Sequence, residues 1–230
     1  MAANFAVMAK NFALLFDNYM PSFMLGLYKT LQLSAMTVFF GAIIGSLICL
    51  LKMSRFAPFR WIATAYIEII RGTPLLLQLY FFYFLVPLVL PALELSKFSS
   101  ISFALVLNSA GYVAEIVRAG IQAVDKGQTE AARSLGMNSN MAMWRIVMPQ
   151  AIKNILPAIA NEFVTIIKES SICSVLGMQD IMFNAKLVQG ASFLPAEPLI
   201  IAAALYFLLT FPTSKLIQHF ERRMRRGDVR

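Results

Sequence analysis

Phe23-Met-Leu-Gly-Leu-Tyr-Lys-Thr-Leu-Gln-Leu-Ser-Ala-Met-Thr-Val-Phe-Phe-Gly-Ala-Ile-Ile-Gly-Ser-Leu-Ile-Cys-Leu-Leu51 is the stretch on which the fold class turns. A helix needs about 20 predominantly apolar residues to cross the hydrocarbon core of a bilayer. This stretch meets that need, and Lys29 is its one charged residue. A soluble core can bury one such segment. Several follow here, and a chain of 230 residues has no interior large enough for all of them. Composition agrees, with 59% hydrophobic residues, 14% charged and a mean hydropathy of +0.68. Soluble domains of this length carry about a quarter charged residues. The expected fold is an all-α membrane protein with about five transmembrane helices.

Working outward, residues 1–22 form an N-terminal external or interfacial segment. They contain Lys10 and Asp17 but no compact apolar run before a cleavage site, so no cleaved signal peptide is expected. Gly41-Ala-Ile-Ile-Gly45 fits the small-x-x-x-small pattern that lets helices approach closely. A polar break, Lys52 to Arg60, leads to a second apolar stretch from Trp61 to about Leu90. That stretch is too long for one upright span, and Arg71-Gly-Thr-Pro74 inside it should kink or break the helix. The third span is roughly Ile101 to Val124, the fourth Ile146 to Ile167, and the fifth Pro198 to Leu216. Between the last two, Ile172, Val175, Leu176, Ile181 and Met182 recur at helical spacing and mark a partly buried amphipathic element. The transmembrane domain is thus 23–218, followed by a basic tail, 219–230.

The net charge of +8 follows topology. Lys52, Arg55 and Arg60 lie between spans one and two; Lys126, Arg133 and Arg145 follow span three; Lys215 and five arginines close the chain. The opposite side has chiefly Lys10, Lys97 and Lys186. The positive-inside bias therefore puts the C-terminus in the cytoplasm and the N-terminus outside. No basic surface is interleaved with aromatics, which argues against nucleic acid as a partner. The two cysteines, Cys49 and Cys173, make neither a disulfide framework nor a metal site. There is no phosphate-binding loop ending in Gly-Lys-Ser/Thr and no paired metal ligands, and the single histidine, His219, sits in the tail. No catalytic centre is expected.

The most ordered polar segment is Glu130-Ala-Ala-Arg-Ser-Leu-Gly136, followed by Met137 to Arg145 and Ile146-Val-Met-Pro149. Gln128 to Leu135 reads as a short helix that Gly136 ends in the left-handed conformation. Asn138 or Ser139 can cap a second short helix, which runs until Pro149 restricts the backbone before it. The product is a helix-turn-helix knob on the cytoplasmic face.

This segment resembles the EAA loop of ABC importer permeases. In that family Glu-Ala-Ala, a glycine, and then Ile and Pro recur at fixed spacing. Glu130, Ala131, Ala132, Gly136, Ile146 and Pro149 occupy those places, with Met148 where leucine is usual. Glu68-Ile-Ile-Arg-Gly-Thr-Pro74, Asn108 to Arg118, Arg118-Ala-Gly-Ile-Gln122 leading into Lys126-Gly-Gln128, and Lys168-Glu-Ser-Ser171 are similar to the polar amino acid branch of the family. The matches cover roughly Thr30 to Gln218. The resemblance implies the type I ABC importer permease fold in a bacterial inner membrane. It also implies that loop 128–149 is the coupling loop, seated in a groove of a cytoplasmic ATPase dimer that closes on ATP and magnesium. No cofactor would bind this chain itself. A second permease copy, identical or related, and an external amino-acid-binding protein complete the implied assembly, with membrane lipid around it.

Three carboxylates, Glu68, Glu115 and Glu162, fall within spans, very roughly 10–20 Å from the cytoplasmic ends of their helices. A charge there costs a few kcal/mol at least and needs a partner or a use. Glu68 with Arg71, and Glu115 with Arg118, are spaced i, i+3 and can pair locally; both carboxylates are also candidate substrate contacts. Glu162 has no basic residue at i±3 or i±4, only the polar Asn161 and Thr165 nearby and Lys168 beyond. It is the leading substrate contact, with Asn161 beside it; pairing with an arginine on another helix is its alternative. Asn108 and Tyr112, spaced i, i+4, can line one cavity or bond neighbouring helices. An unpaired carboxylate favours cations, so a basic amino acid is expected slightly ahead of a neutral polar one, and an acidic one last. Two rivals remain: an ion-coupled secondary transporter or channel using the buried carboxylates, and a non-transporting scaffold. Neither accounts for both the knob and the carboxylates.

Overall fold

The computed structural model describes residues 2–225, with side chains from Ala6 to Met224. Arg226 to Arg230 of the basic tail lie outside the described residues. Among the described residues the chain is helical throughout its ordered elements, with no strand. Helix α1 spans Ala2–Lys52, α2 Ala57–Gly72, α3 Leu75–Tyr80, α4 Val86–Val89 and α5 Lys97–Gln122. Then come α6 Lys126–Ser134, α7 Ser139–Ala142, α8 Met148–Glu169, α9 Ile181–Ser192 and α10 Glu197–Arg225.

Helix α1 has 51 residues, a length of about 76 Å. It does not begin at Phe23: from Ala2 onward, the expected external segment is the first part of the same helix. Apolar residues continue through Phe12, Leu14 and Leu15, so no polar signal stops the helix before the first span. Between helices in lipid there is little hydrophobic driving force, and close contact between small residues has to supply the attraction. The glycines of α1 do this. A Cβ on Gly45 would stand 2.7 Å from the Ala110 carbonyl oxygen, and one on Gly41 2.8 Å from Ser109 Oγ, so α1 meets α5 nearly backbone to backbone. Gly26 approaches the Asp180 carbonyl at the start of α9 in the same way.

The second span is broken, as Arg71-Gly-Thr-Pro74 requires. Helix α2 ends at Gly72, and the chain beyond Pro74 turns by 108°. Pro74 has no N–H to donate, and the residue before it is held extended: Thr73 sits at φ −120°, ψ 146°. Gln78 stitches the corner. Its amide donates to the Ile70 carbonyl at 2.7 Å and to Thr73 Oγ1 at 2.8 Å.

Among the described residues three helices are long and apolar enough to cross a membrane, and four spans result if the bent pair counts as one. The fourth expected span corresponds to α8, whose 22 residues reach about 33 Å. It carries Lys153, Asn154, Asn161, Glu162, Lys168 and Glu169 and is therefore amphipathic. A helix of that kind belongs against protein, and α8 packs on α1, α5 and α10. The amphipathic element after it is a 3₁₀ segment, Ser170–Leu176, followed by α9, whose N-terminus Asp180 caps by accepting from the Phe183 N–H at 2.8 Å.

Three apolar clusters hold the helices together. Cys49, Ile67, Val113 and Ala151 join α1, α2, α5 and α8. Leu33, Leu79, Leu105 and Cys173 join α1, α3, α5 and the 3₁₀ segment. Phe23, Ile181, Val188 and Ala202 join α1, α9 and α10.

Candidate functional site: a buried carboxylate and a capped knob

Glu162 lies on α8 with 9% of its surface exposed, facing α5. Ser109 on α5 donates its hydroxyl to Glu162 Oε1 at 3.3 Å. Among the described residues no lysine or arginine pairs with it. The alternative of an arginine partner on another helix is therefore not what this chain shows. Asn161, one residue earlier, turns outward and is exposed. Its carbonyl accepts from Thr165 Oγ1 at 3.2 Å.

The other two carboxylates differ from each other. Glu115 pairs with Arg118 as the spacing suggests, Arg118 Nη2 standing 2.7 Å from Oε2. It also receives Lys52 from the end of α1 at 2.6 Å and Arg71 from α2 at 3.9 Å. Glu68 is exposed and forms no ion pair among the described residues, so its expected partnership with Arg71 is absent. The reason is competition. Arg71 reaches α5 instead, where the Glu115 carboxylate attracts it and its guanidinium lies 5.5 Å from the centre of the Tyr112 ring.

Asn108 and Tyr112 both point toward the α2–α3 corner, as their common helix face requires. Asn108 is buried and donates to Gln78 Oε1 at 2.9 Å, which ties α5 to the break in the second span. Tyr112 is partly exposed beneath Arg71. Sequence reading missed Ser109, Lys52 and Gln78. Ser109 was available beside Asn108, and Lys52 as the first charge after an uncharged run, but only the fold shows whom they meet.

The knob forms with its own capping chemistry. Asp125 begins α6 by accepting from the Gly127 N–H at 2.6 Å. Gly136 ends it at φ +85°, with its N–H on the Arg133 carbonyl at 3.0 Å and the Met137 N–H on the Ala132 carbonyl at 3.1 Å. This is the Schellman pattern, and glycine suits it because a Cβ is disfavoured at that φ. Of the two candidate caps, Asn138 is the one used: its Oδ1 accepts from the Met141 N–H at 2.8 Å. Glu130 and Ala131 are exposed, whereas Ala132 is buried.

The second knob helix does not stop at Pro149. It passes from α7 through one π turn, Met143–Val147, directly into α8. Proline has no N–H for the i−4 carbonyl, and it is tolerated in the first turn of a helical segment. The π turn resets the register there. Ile146 is half-buried and Pro149 exposed on this continuous helix. Around the knob, Leu135 is 82% exposed, Trp144 66% and Met141 40%. Large apolar side chains clustered in this way mark a surface made to be covered.

A long packed first helix, a broken second span, the polar helix α8 and a capped helix-turn-helix knob point to one class: the membrane-spanning permease of an ABC importer. Residues 37–226 match the family described as binding-protein-dependent transport system inner membrane components, and the chain belongs to that family. It is 43% identical over 208 residues, covering 90% of this chain and 94% of the relative, to the arginine transport system permease protein ArtQ of Bacillus subtilis. It is 38% identical over 217 residues, 94% of this chain and 99% of the relative, to the probable glutamine ABC transporter permease protein GlnM of the same organism. Among solved structures, an amino acid ABC transporter crystallised with histidines superposes with a TM-score of 0.86 at 48% identity, covering 91% of this chain and 97% of that one. The inward-facing MetNI methionine ABC transporter shares the fold, with a TM-score of 0.76 over 90% of this chain and 98% of that one, at 18% identity. The resemblance to amino acid ABC importer permeases is thereby borne out.

Proposed function

We propose that the chain is the permease subunit of an ATP-driven importer for basic or neutral polar amino acids. The observation that carries the substrate class is the Glu162 carboxylate, buried against Ser109 with no cation of the described chain to neutralise it. A buried carboxylate wants a positive partner, and the ammonium or guanidinium of a substrate supplies one. Relatives named for arginine and for glutamine support the same range. Two permease copies form the pathway, an external binding protein delivers the amino acid, and two cytoplasmic ATPases carrying ATP and magnesium dock on the knobs. The apolar rim of Leu135, Met141 and Trp144 supports that docking. ATP binding closes the ATPases, displaces the knobs and reorients the pathway, with the N-terminus outside and the C-terminus inside.

The test is uptake into proteoliposomes holding the permease, its ATPase and its binding protein, with no ion gradient. ATP-dependent accumulation of arginine, lysine, histidine or glutamine is the expected result. Accumulation that instead requires a proton or sodium gradient and ignores ATP would establish the ion-coupled rival.

A further inference from the structure

The external face carries two lysines that topology does not explain. Lys29 on α1 lies 23 residues before Lys52, about 35 Å along the helix, so the two stand at opposite faces of a bilayer about 30 Å thick. Lys97 opens α5 at the same outer level. Neither forms an ion pair among the described residues. Lys29 instead lies over the rings of Tyr28 and Phe98 at 5.6 and 5.7 Å and reaches Gln32 Oε1 at 3.3 Å. The Lys97 ammonium occupies the space a side chain would take on Gly177, 2.8 Å from where a Cβ would stand. Together with Phe98, Met178 and Gln179 the two lysines line an open cavity of about 300 Å³.

Phe98 is also a wall of a second cavity of about 300 Å³, which descends between α1 and α5. Its lining is apolar: Met36, Phe40 and Ile44 from α1, Phe103 and Val106 from α5. Ile44 lies about 22 Å below Lys29 along the helix, beyond the ~15 Å depth of one leaflet's hydrocarbon. Two serines interrupt this wall, Ser99, whose hydroxyl is paired with that of Ser96, and Ser102. The Ser102 hydroxyl lines the cavity, is 94% buried by the 6% exposure of its residue, and has no hydrogen-bond partner among the described residues. It sits about 8 Å below Lys97.

We propose that these two cavities are one binding site for an anionic phospholipid of the outer leaflet. The phosphate sits between Lys29 and Lys97, the Ser102 hydroxyl donates to an acyl ester carbonyl at glycerol depth, and one acyl chain fills the furrow beside Met36 and Phe40. Charge complementarity argues for an anionic headgroup, since two unpaired ammoniums face one opening. The polar cavity and the apolar furrow adjoin at their shared wall, Phe98, and this adjacency argues for a lipid and against a free anion. The site rests on the membrane-spanning fold and is independent of the substrate proposed above.

The test is native mass spectrometry of the permease purified with its partner subunits, offered dioleoylphosphatidylglycerol or dioleoylphosphatidylcholine. Wild type retains phosphatidylglycerol in preference. Lys29→Gln and Lys97→Gln each lower its retention about fivefold, and the pair about 25-fold, at the usual contribution of one basic residue to an anionic surface. The Lys29→Arg/Lys97→Arg pair keeps retention, which separates lost charge from misfolding. Ser102→Phe, which fills the furrow, lowers retention of both lipids. Undiminished phosphatidylglycerol binding by the double glutamine variant overturns the proposal. So does displacement of the lipid by glycerol phosphate alone, which would make the site a simple anion pocket. So does a disulfide between two copies carrying Phe103→Cys, which would show the furrow covered by the second permease.

Discussion

Ser109 on α5 donates to Glu162 on α8 at 3.3 Å across the interface of the two helices, and the carboxylate it meets has no cation among the described residues. The interaction positions the carboxylate without supplying a counter-charge, and on the proposed function the cationic group of the substrate supplies it.

The first expectation is therefore that Glu162→Gln, which keeps the shape and removes the charge, cuts uptake of a basic amino acid by roughly 10- to 100-fold. That is the loss of one charge-assisted hydrogen bond, about 1.5–3 kcal/mol. A neutral substrate should suffer less, and Ser109→Ala should cost only a few-fold in either case. Transport kinetics in proteoliposomes decide it: unchanged uptake of basic substrates by Glu162→Gln returns that residue to a purely structural role.

Coupling should fail at the knob without loss of the bundle. Gly136 sits at φ +85°, where a side chain costs about 1–2 kcal/mol, and Gly136→Pro cannot adopt that angle at all. Gly136→Pro and Glu130→Lys should insert normally yet lower the ratio of amino acid imported to ATP hydrolysed. Normal ratios in both variants would remove the knob from the coupling pathway.

The ion cluster at Glu115 should be stabilising only while complete. Glu115→Gln leaves Lys52, Arg71 and Arg118 facing one another, at a cost of about 1–3 kcal/mol given their partial exposure. At about 2–4 °C per kcal/mol, thermal unfolding in detergent should fall by several degrees. Adding Arg71→Gln should restore part of the loss. A double variant no better than the single one would show that repulsion is not the cause.

Sidedness has a direct check. Cys49 and Cys173 are fully buried, so a membrane-impermeant thiol reagent should find little native background. Cysteines placed at Ser96, which caps α5, and at Ser139 in the knob should be labelled from opposite sides. Labelling of both from one side would falsify the proposed orientation.

How far the sequence carried the reading depended on whether a feature was local. The break at Arg71–Pro74, the left-handed Gly136 and the Glu115–Arg118 pair each follow from residues a turn or less apart, and the structure has all three. Glu68 with Arg71 has the same spacing and similar sequence but no pair. Spacing reports who is near on one helix and not who competes from the next, and here Glu115 and Tyr112 compete for the arginine. Asn108 is the same lesson at a polar site: its use depends on Gln78, 30 residues away and brought close only by the 108° turn. The π turn at Met143–Val147 was illegible because Pro149 announces a disturbed ladder without saying whether the helix stops or shifts register.

That continuous passage has a mechanical meaning. From Ser139 to Glu169 the chain is one helical rod, with Asn138 capping its lower end and Glu162 roughly 35 Å above. No loop between the two points is available to absorb a push. On the proposed mechanism a thrust delivered to the knob travels along this rod toward the carboxylate, and the π turn at Met143–Val147 and Pro157 inside α8 are the two joints at which the rod can flex.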